Sequence, residues 1–255
     1  MLDKGEVMYS LTYTSPGGEH FEMLEGGDKP TIVLDSLTGL VGEFEDTSVR
    51  SLGVPGARVD FRDRVVAPMT GGFSLVVQSA EQWAMARAAF STHRYGTLTL
   101  DVGDVKRTAP VRLSASLPSP GGRPKMGSQI QVALVSDGPG GGVWSERLQA
   151  MTQSVTVTNY GDVPVWPEIA WSGAGGDVYL PSGASFRLPP VSGEHRVSLA
   201  RGERGRVYGP AGFDKDLTRT AGAVGEATPV GESRVYRVPS GARLEWSVGV
   251  LDPWI

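Results

Sequence analysis

The residues of this chain that could take part in acid–base or nucleophilic chemistry are few and scattered. The three histidines are His20, His93 and His195, and none has a carboxylate or serine at the spacing of a hydrolytic triad motif. Cysteine is absent, which excludes thiol catalysis, thiolate zinc sites and disulfides, and is consistent with assembly in a reducing cytosol. The residue types therefore predict no nucleophilic active site.

Two carboxylate pairs and one glycine-rich segment have patterns that elsewhere hold ions. Asp101 with Asp104, and Asp214 with Asp216, lack the further oxygen ligands of an EF-hand loop, so solvated turns are the favoured interpretation. Residues 138–142 lack the Gly-Lys-Ser/Thr ending of a phosphate-binding loop. We predict no catalytic residue, no metal and no cofactor, and hence no enzyme. A hydrolase whose carboxylates come from distant strands stays as a minor alternative.

The tryptophans are the remaining residues that could form a binding surface. Exposed tryptophans on a β-sandwich can stack on sugars or contact a protein partner. Trp171 and Trp246 lie inside alternating strands and are expected in the interior. Trp166 and Trp254 are less constrained, and we predict that they contact a partner or a glycan.

Composition limits the classes of protein. Of 255 residues, 35 are Gly and 18 are Pro, which favours many short strands joined by turns. The net charge is -4, and the residues up to Asp137 include 13 basic and 16 acidic side chains. A protein that reads duplex DNA is therefore not expected. Apolar runs such as 32–34 are far shorter than the roughly 20 residues of a membrane helix. No signal peptide is recognisable, so synthesis in a cytoplasm without membrane association is expected.

Short runs that alternate apolar and polar residues predict strands in both halves of the chain. In the first half these are residues 10–14, 31–35, 58–62, 73–77, 97–102, 111–114 and 129–135. In the second half they are residues 153–158, 168–171, 178–180, 185–188, 196–200, 206–208, 234–238 and 242–250. Glycine and proline turns separate them, so the pattern indicates all-β sandwiches or barrels.

One segment departs from the strand period. Residues 79–90 are rich in alanine, with Trp83 and Phe90 at helical spacing, and Ser79 with Gln82 forms a capping-box pattern. This is the one helix that we predict, covering a sheet through its Trp83 and Phe90 face. Residues 210–230 are poorly patterned and are predicted to be a long loop.

The glycine-rich segment marks the predicted domain boundary. It predicts a first domain at residues 1–137, a linker at 138–144 and a second all-β domain at 145–255.

The order of these patterns resembles that of a known family. In the first half the matching segments are residues 60–63, 71–77, the helix at Trp83, 96–100, 111–113 and the strand before Trp144. In the second half they are the Asn-x-Gly turn within 155–162, the Pro-x-Ile strand at 167–169, the Gly-Glu hairpin within 192–207 and the Pro-x-Gly turn within 238–246. Together they resemble the distal tail proteins (Dit) of long, flexible-tailed bacteriophages, the siphophages, especially minor tail proteins of phages that infect actinobacteria. The chain departs from the family at Ala200 and Arg201, where an Asp-Thr turn is more usual.

The resemblance implies a fold and a function. It implies a tail-tube-like β-sandwich with a flanking helix that closes into a hexameric ring, and a second, galectin-like or carbohydrate-module-like sandwich at the periphery. The implied protein is a structural virion component in the tail tip, between the tail tube protein and a tip hub, tail-associated lysin or receptor-binding protein, through which DNA passes without specific binding. The alternative is a tail protein that binds host cell-wall glycan through Trp166 or its neighbours.

Overall fold

The structure is a computed structural model with two compact units. One unit is Met1–Ser145 with Val250–Ile255, and the other is Glu146–Gly249. The structure describes residues 9–255 apart from 26, 47, 50, 51, 53, 54, 56, 57, 60–63, 123 and 204, and gives only the backbone at 48, 49, 58 and 59. The expected limits 1–137, 138–144 and 145–255 stay a prediction.

The first unit is built from short strands and one helix. Its strands are β1 (Tyr9–Thr14), β2 (His20–Glu22), β3 (Thr31–Ile32), β4 (Thr38–Gly39), β5 (Phe44–Glu45), β6 (Ser48–Val49), β7 (Arg58–Val59), β8 (Val65–Val66), β9 (Met69–Val77), β10 (Gly96–Val102), β11 (Val105–Leu113), β12 (Ser128–Ser136) and the start of β13 (Trp144–Ala150). The helix α1 (Ala80–Ala89) connects β9 to β10.

Two antiparallel sheets of the first unit share one core. One sheet has the order β2-β1-β10-β11, and in the other β9 pairs with β12, β3 and β4. The strand β11 belongs to both, because Arg112 and Leu113 also pair with β12. Alternation is clearest in β12, where Ile130, Val132 and Leu134 point into the core.

The helix α1 is confirmed, with the start that the sequence indicates. The Ser79 hydroxyl accepts a hydrogen bond from the backbone N–H of Gln82 at 3.2 Å, and the Gln82 side chain accepts one from the N–H of Gln78 at 2.8 Å. Ala86 and Phe90 are buried, and Trp83 packs against the core while partly exposed. The helix therefore covers the first sandwich through the predicted face.

The glycine-rich segment is held against the first unit. The Tyr95 hydroxyl and Arg112 Nε both donate to Asp137 Oδ1 at 2.9 Å, just before the segment begins. The N–H of Gly142 donates to the Ser136 hydroxyl, and Trp144 is fully buried. Residues 138–144 thus belong to the first compact unit.

The second unit contains the rest of β13, two sheets and a second helix. Its further strands are β14 (Ser154–Thr158), β15 (Glu168–Gly173), β16 (Gly176–Tyr179), β17 (Ser185–Leu188), β18 (Val191–Ser198), β19 (Val207–Gly209), β20 (Gly212–Asp214), β21 (Ser233–Arg237) and β22 (Arg243–Val250). A 3-10 turn spans Arg201–Glu203, and the helix α2 is Lys215–Ala221.

The two sheets of the second unit enclose a separate core. One has the order β22-β15-β18-β19-β20 and the other β14-β21-β16-β17. Trp171 and Leu244 of the first of these sheets and Val157 and Tyr236 of the second belong to one buried cluster. Trp171 is buried as predicted, and Trp246 packs against the same core while partly exposed. The all-β fold class with a flanking helix is confirmed.

The prediction of a long loop at residues 210–230 is wrong, because part of the segment is regular and contains a second helix besides α1. The segment forms β20 and then α2, whose N-cap Asp214 accepts a hydrogen bond from the N–H of Leu217 at 2.8 Å. Gly222 ends the helix in the left-handed conformation, with φ at 56°. A helix of seven residues has too few turns to show a period, and its caps and the buried Ala221 stabilise it instead.

One expected strand is shorter than predicted, and another lies partly outside the described residues. The expected strand 31–35 stops at Ile32, and Asp35 has a positive φ of 61°. The expected strand 58–62 is seen at Arg58–Val59, and residues 60–63, which also carry part of the resemblance, lie outside the described residues.

Candidate interaction surfaces

The histidines of the two units have ordinary structural surroundings. His20 lies 3.2 Å from both Thr14 Oγ1 and Glu22 Oε1, and its side chain and that of Glu22 are each about half exposed. His93 Nδ1 lies 3.2 Å from the Ser91 hydroxyl at an exposed position. His195 is buried beside Trp171, with ring centroids 5.9 Å apart.

The carboxylate pairs act locally. Asp101 Oδ2 accepts a hydrogen bond from the Ser10 hydroxyl at 3.3 Å, and Asp214 caps α2. Within the part of the chain that the structure describes, no group of three or more histidines and carboxylates could hold a metal ion, and no helix is long and apolar enough to cross a membrane.

The two tryptophans expected to contact a partner lie in different units. Trp254 belongs to the first unit, where it is 41% exposed and meets the ring of Tyr9 edge to face, with centroids 5.2 Å apart. Arg107 Nη1 donates to the backbone oxygens of Pro253 and Ile255 at 2.5 and 3.0 Å, which holds residues 253–255 in place. Trp166 belongs to the second unit and is partly buried.

Several large apolar side chains of the first unit remain exposed. They are Tyr9, Leu34, Val41, Leu52, Val65, Tyr95, Met126, Trp254 and Ile255. A contiguous exposed apolar patch marks a contact site, whereas single exposed apolar side chains are ordinary on a protein surface.

A charged cluster covers one face of the second unit. The Glu245 carboxylate, 5% exposed, is bound by Arg147 Nη2 at 2.5 Å, by Arg243 Nε at 2.6 Å and by Arg196 Nη1 at 2.9 Å. Arg196 also binds Glu168 at 3.0 Å and Glu194 at 2.7 Å. Three arginines and three carboxylates thus neutralise one another.

The cluster keeps Glu245 ionised although it is buried. Burial alone raises the pKa of a carboxyl group, but hydrogen bonds from Arg147, Arg243 and Arg196 outweigh it and lower the pKa of Glu245 to about 2. The pKa of Arg196 is raised by its hydrogen bonds to Glu194, Glu245 and Glu168. The arrangement joins strands and keeps the buried Glu245 carboxylate charged at neutral pH.

A shallow groove lies on the solvent-facing side of the sheet β14-β21-β16-β17. We call it the Tyr179 groove; it is lined by Tyr179, Leu180, Pro181, Gly183, Val235 and Arg237 and has a volume of about 310 Å³. Tyr179 is 51% exposed and Val235 44% exposed. Arg237 pairs with Tyr179 in the register of β16 and β21, so the two side chains leave the sheet side by side.

The groove continues into a second depression along the same strand. Pro181 and Val235 line both, and the second is also lined by Ser182, Glu232, Ser233 and Arg234. There the Ser182 hydroxyl donates to Glu226 at 2.6 Å, and Arg234 binds Glu226 at 3.3 Å and Glu232 at 3.0 Å. The charges of the second depression are therefore paired.

Sequence reasoning did not single out Tyr179 or Arg237. The signal that could have found them is alternation, because Val178 and Leu180 are buried on either side of Tyr179, and Tyr236 and Val238 are buried around Arg237. That these two strands are neighbours is visible only in the fold.

The fold that these elements make is that of the hub and baseplate proteins of phage tails. The chain is similar to the SPP1 Dit protein (gp 19.1), described as a paradigm of the hub adsorption apparatus in Gram-positive infecting phages, with a TM-score of 0.63 and 12% identity over 96% of this chain and 100% of that one. The expected Dit-like fold is thereby confirmed.

Chains of the phage P2 baseplate have the same fold. For the baseplate in its activated conformation with Ca, the comparison with this chain gives a TM-score of 0.52 and 10% identity. For the activated conformation with Sr, it gives a TM-score of 0.52 and 11% identity. Both comparisons cover 94% of this chain and 98% of the other. No protein-family model and no curated protein matches the sequence.

Proposed function

We propose that this protein is a structural, non-enzymatic component of a phage tail tip, and that six copies form a ring that joins the tail tube to the tip. The observation that carries the proposal is the likeness to SPP1 Dit, which extends over 96% of this chain and 100% of that one. Because the match covers 96% of this chain, it includes both units, and the role is inferred from this similarity of fold.

The surface of the first unit supports self-association. A ring needs a head-to-tail interface, in which one patch of a subunit meets a different patch of the next. The exposed Leu34, Met126 and Ile255 offer apolar side chains for such an interface, and β2 offers a sheet edge to a neighbouring subunit. Trp254 with Tyr9 is a further contact in this proposal.

The partners and the passage of DNA are parts of the same proposal. The ring would contact the tail tube protein on one side and a tip hub, lysin or receptor-binding protein on the other. The excess of three acidic residues in positions 1–137, multiplied sixfold in a ring, would discourage DNA from binding as it passes. If this is correct, reversing acidic residues of the lumen slows DNA ejection, and unchanged ejection kinetics would contradict it.

The phage group is also proposed. The resemblance is to minor tail proteins of siphophages of actinobacteria. The 19 Arg against 5 Lys, with Asn159 as the sole Asn, agrees with coding in GC-rich DNA.

Negative-stain electron microscopy of the purified protein over a range of concentrations tests the ring. We expect rings with sixfold symmetry and a central hole, and a hexamer mass by analytical ultracentrifugation. Isolated two-lobed particles at every concentration, also after addition of the tail tube protein, would overturn the proposal.

A further inference from the structure

We propose that the Tyr179 groove binds an acidic saccharide, a sugar that carries a carboxylate or a phosphate group. This inference goes beyond ring assembly and does not depend on it. It also places glycan contact at a surface other than Trp166.

Tyr179 provides the stacking surface. Its side chain is 51% exposed, although its neighbours Val178 and Leu180 are buried. The face of an aromatic ring is electronegative and attracts the weakly positive C–H groups of a sugar ring, while the phenol hydroxyl offers a hydrogen bond. Val235 and Pro181 extend the apolar floor beside it.

Arg237 provides the charge. Among the residues that the structure describes, no ion-pair or hydrogen-bond partner contacts its side chain, which is exposed beside Tyr179. A guanidinium group binds carboxylates and phosphates through two parallel hydrogen bonds. Arg237 is the cross-strand neighbour of Tyr179. If a sugar stacks on the Tyr179 ring, Arg237 is therefore close enough to bind an anionic group of that sugar.

The surrounding charges favour this position for the anion. Arg234, on the same strand, is already bound by Glu226 and Glu232. Arg187 is bound by Asp177 at 3.1 Å on the same sheet face. Arg237 differs from these arginines, because none of the described carboxylates forms an ion pair with it.

The size of the groove suits a short saccharide. Its volume of about 310 Å³ lies at the lower end of the range for small-molecule sites, roughly 300 to 1,000 Å³. The adjoining depression, which shares Pro181 and Val235, gives a chain of sugars room to continue along β21.

Isothermal titration calorimetry of the full chain with three probes tests the proposal. The probes are trigalacturonic acid, which carries carboxylates, a glucosylated oligo(glycerol phosphate), which carries phosphates, and neutral maltotriose. We expect binding of at least one acidic probe and at least tenfold weaker binding of maltotriose; which acidic probe binds tells the carboxylate source from the phosphate source.

Variants localise the binding. Tyr179→Ala and Arg237→Gln should each weaken binding of the acidic probe tenfold or more, because each removes one half of the recognition. Arg219→Gln, which removes an exposed arginine on α2, is the matched control and should bind like the unchanged protein.

The remaining outcomes overturn the proposal. They are no binding of either acidic probe at millimolar concentration, equal binding of maltotriose, or binding that survives both groove variants and is lost in Trp166→Ala. Circular dichroism of each variant separates lost binding from misfolding. Electron microscopy of Tyr179→Ala tests ring formation separately, so failure of one proposal does not imply failure of the other.

Discussion

Arg196 Nη1 of β18 donates a hydrogen bond to Glu245 Oε2 of β22 at 2.9 Å, across the strand β15 that separates them. The carboxylate also accepts hydrogen bonds from Arg147 and Arg243, so three arginines surround one buried acid. The cluster ties together strands that are far apart in the sequence, and this makes Glu245 the most informative position for stability in the second unit.

Replacing Glu245 with glutamine should destabilise the second unit by about 3 kcal/mol. The change leaves arginines next to a buried group that no longer carries a compensating charge. Urea unfolding followed by tryptophan fluorescence measures the loss. Glu232→Gln is the matched control, because Glu232 binds Arg234 at 3.0 Å but is 51% exposed, and should cost less than about 1 kcal/mol.

The same carboxylate should contribute to acid sensitivity. The pKa of Glu245 is lowered from 4.5 to about 2 in the folded protein, so its contribution is complete above about pH 4.5 and is lost as the pH falls toward 2. A shift of this size corresponds to at most about 3 kcal/mol. Urea midpoints measured across this pH range should fall less steeply in Glu245→Gln; parallel curves for the two proteins would contradict the prediction.

Asn159→Asp should destabilise the second unit by about 2 to 4 kcal/mol. The buried Asn159 amide donates to the carbonyls of Val163 at 2.9 Å and Thr228 at 3.0 Å. An aspartate cannot donate these hydrogen bonds, and its carboxylate oxygens would repel the two carbonyl oxygens. Thermal unfolding measures the effect. Gln153→Glu makes the same chemical change at an exposed position, and an equal loss there would contradict the interpretation.

Gly96→Ala should destabilise the first unit by about 1 to 3 kcal/mol. A Cβ at this position would lie 2.5 Å from Cε2 and 2.6 Å from Cζ of Tyr13. The Tyr13 ring has little room to move, since it stacks on Phe90 with centroids 4.3 Å apart and donates its hydroxyl to the Ala89 carbonyl. Urea unfolding should distinguish it from Gly121→Ala, a site with open space around the added atom.

Trp254→Ala should disrupt ring formation more than folding. The side chain is 41% exposed and contacts the Tyr9 ring at its edge, so truncation should cost the isolated unit no more than about 2 kcal/mol. Sedimentation velocity should show a loss of hexamer if Trp254 contacts the neighbouring subunit. Tyr208→Ala alters a comparable exposed aromatic pair in the second unit, with Phe213 5.9 Å away, and should leave assembly unchanged.

Features that depend on residues close together in the chain could be predicted from the sequence. Alternation placed strands such as β12 and β14, because one face of each is buried and the side-chain period is two. The start of α1 was predicted because Ser79 and Gln82 are three residues apart and cap the helix through local hydrogen bonds.

Other features were decided by the tertiary structure. The helix α2 is too short to show a period, and Trp254 belongs to the first unit although it follows the second unit in the sequence. Glu245 contacts Arg147 and Arg196, which are 98 and 49 residues away in the sequence. Tyr179 lies beside Arg237 only because their strands pair. The alternation in a strand determines which side chains face solvent, but which strands become neighbours depends on the packing of whole sheets, and each of these surfaces is made by such neighbours.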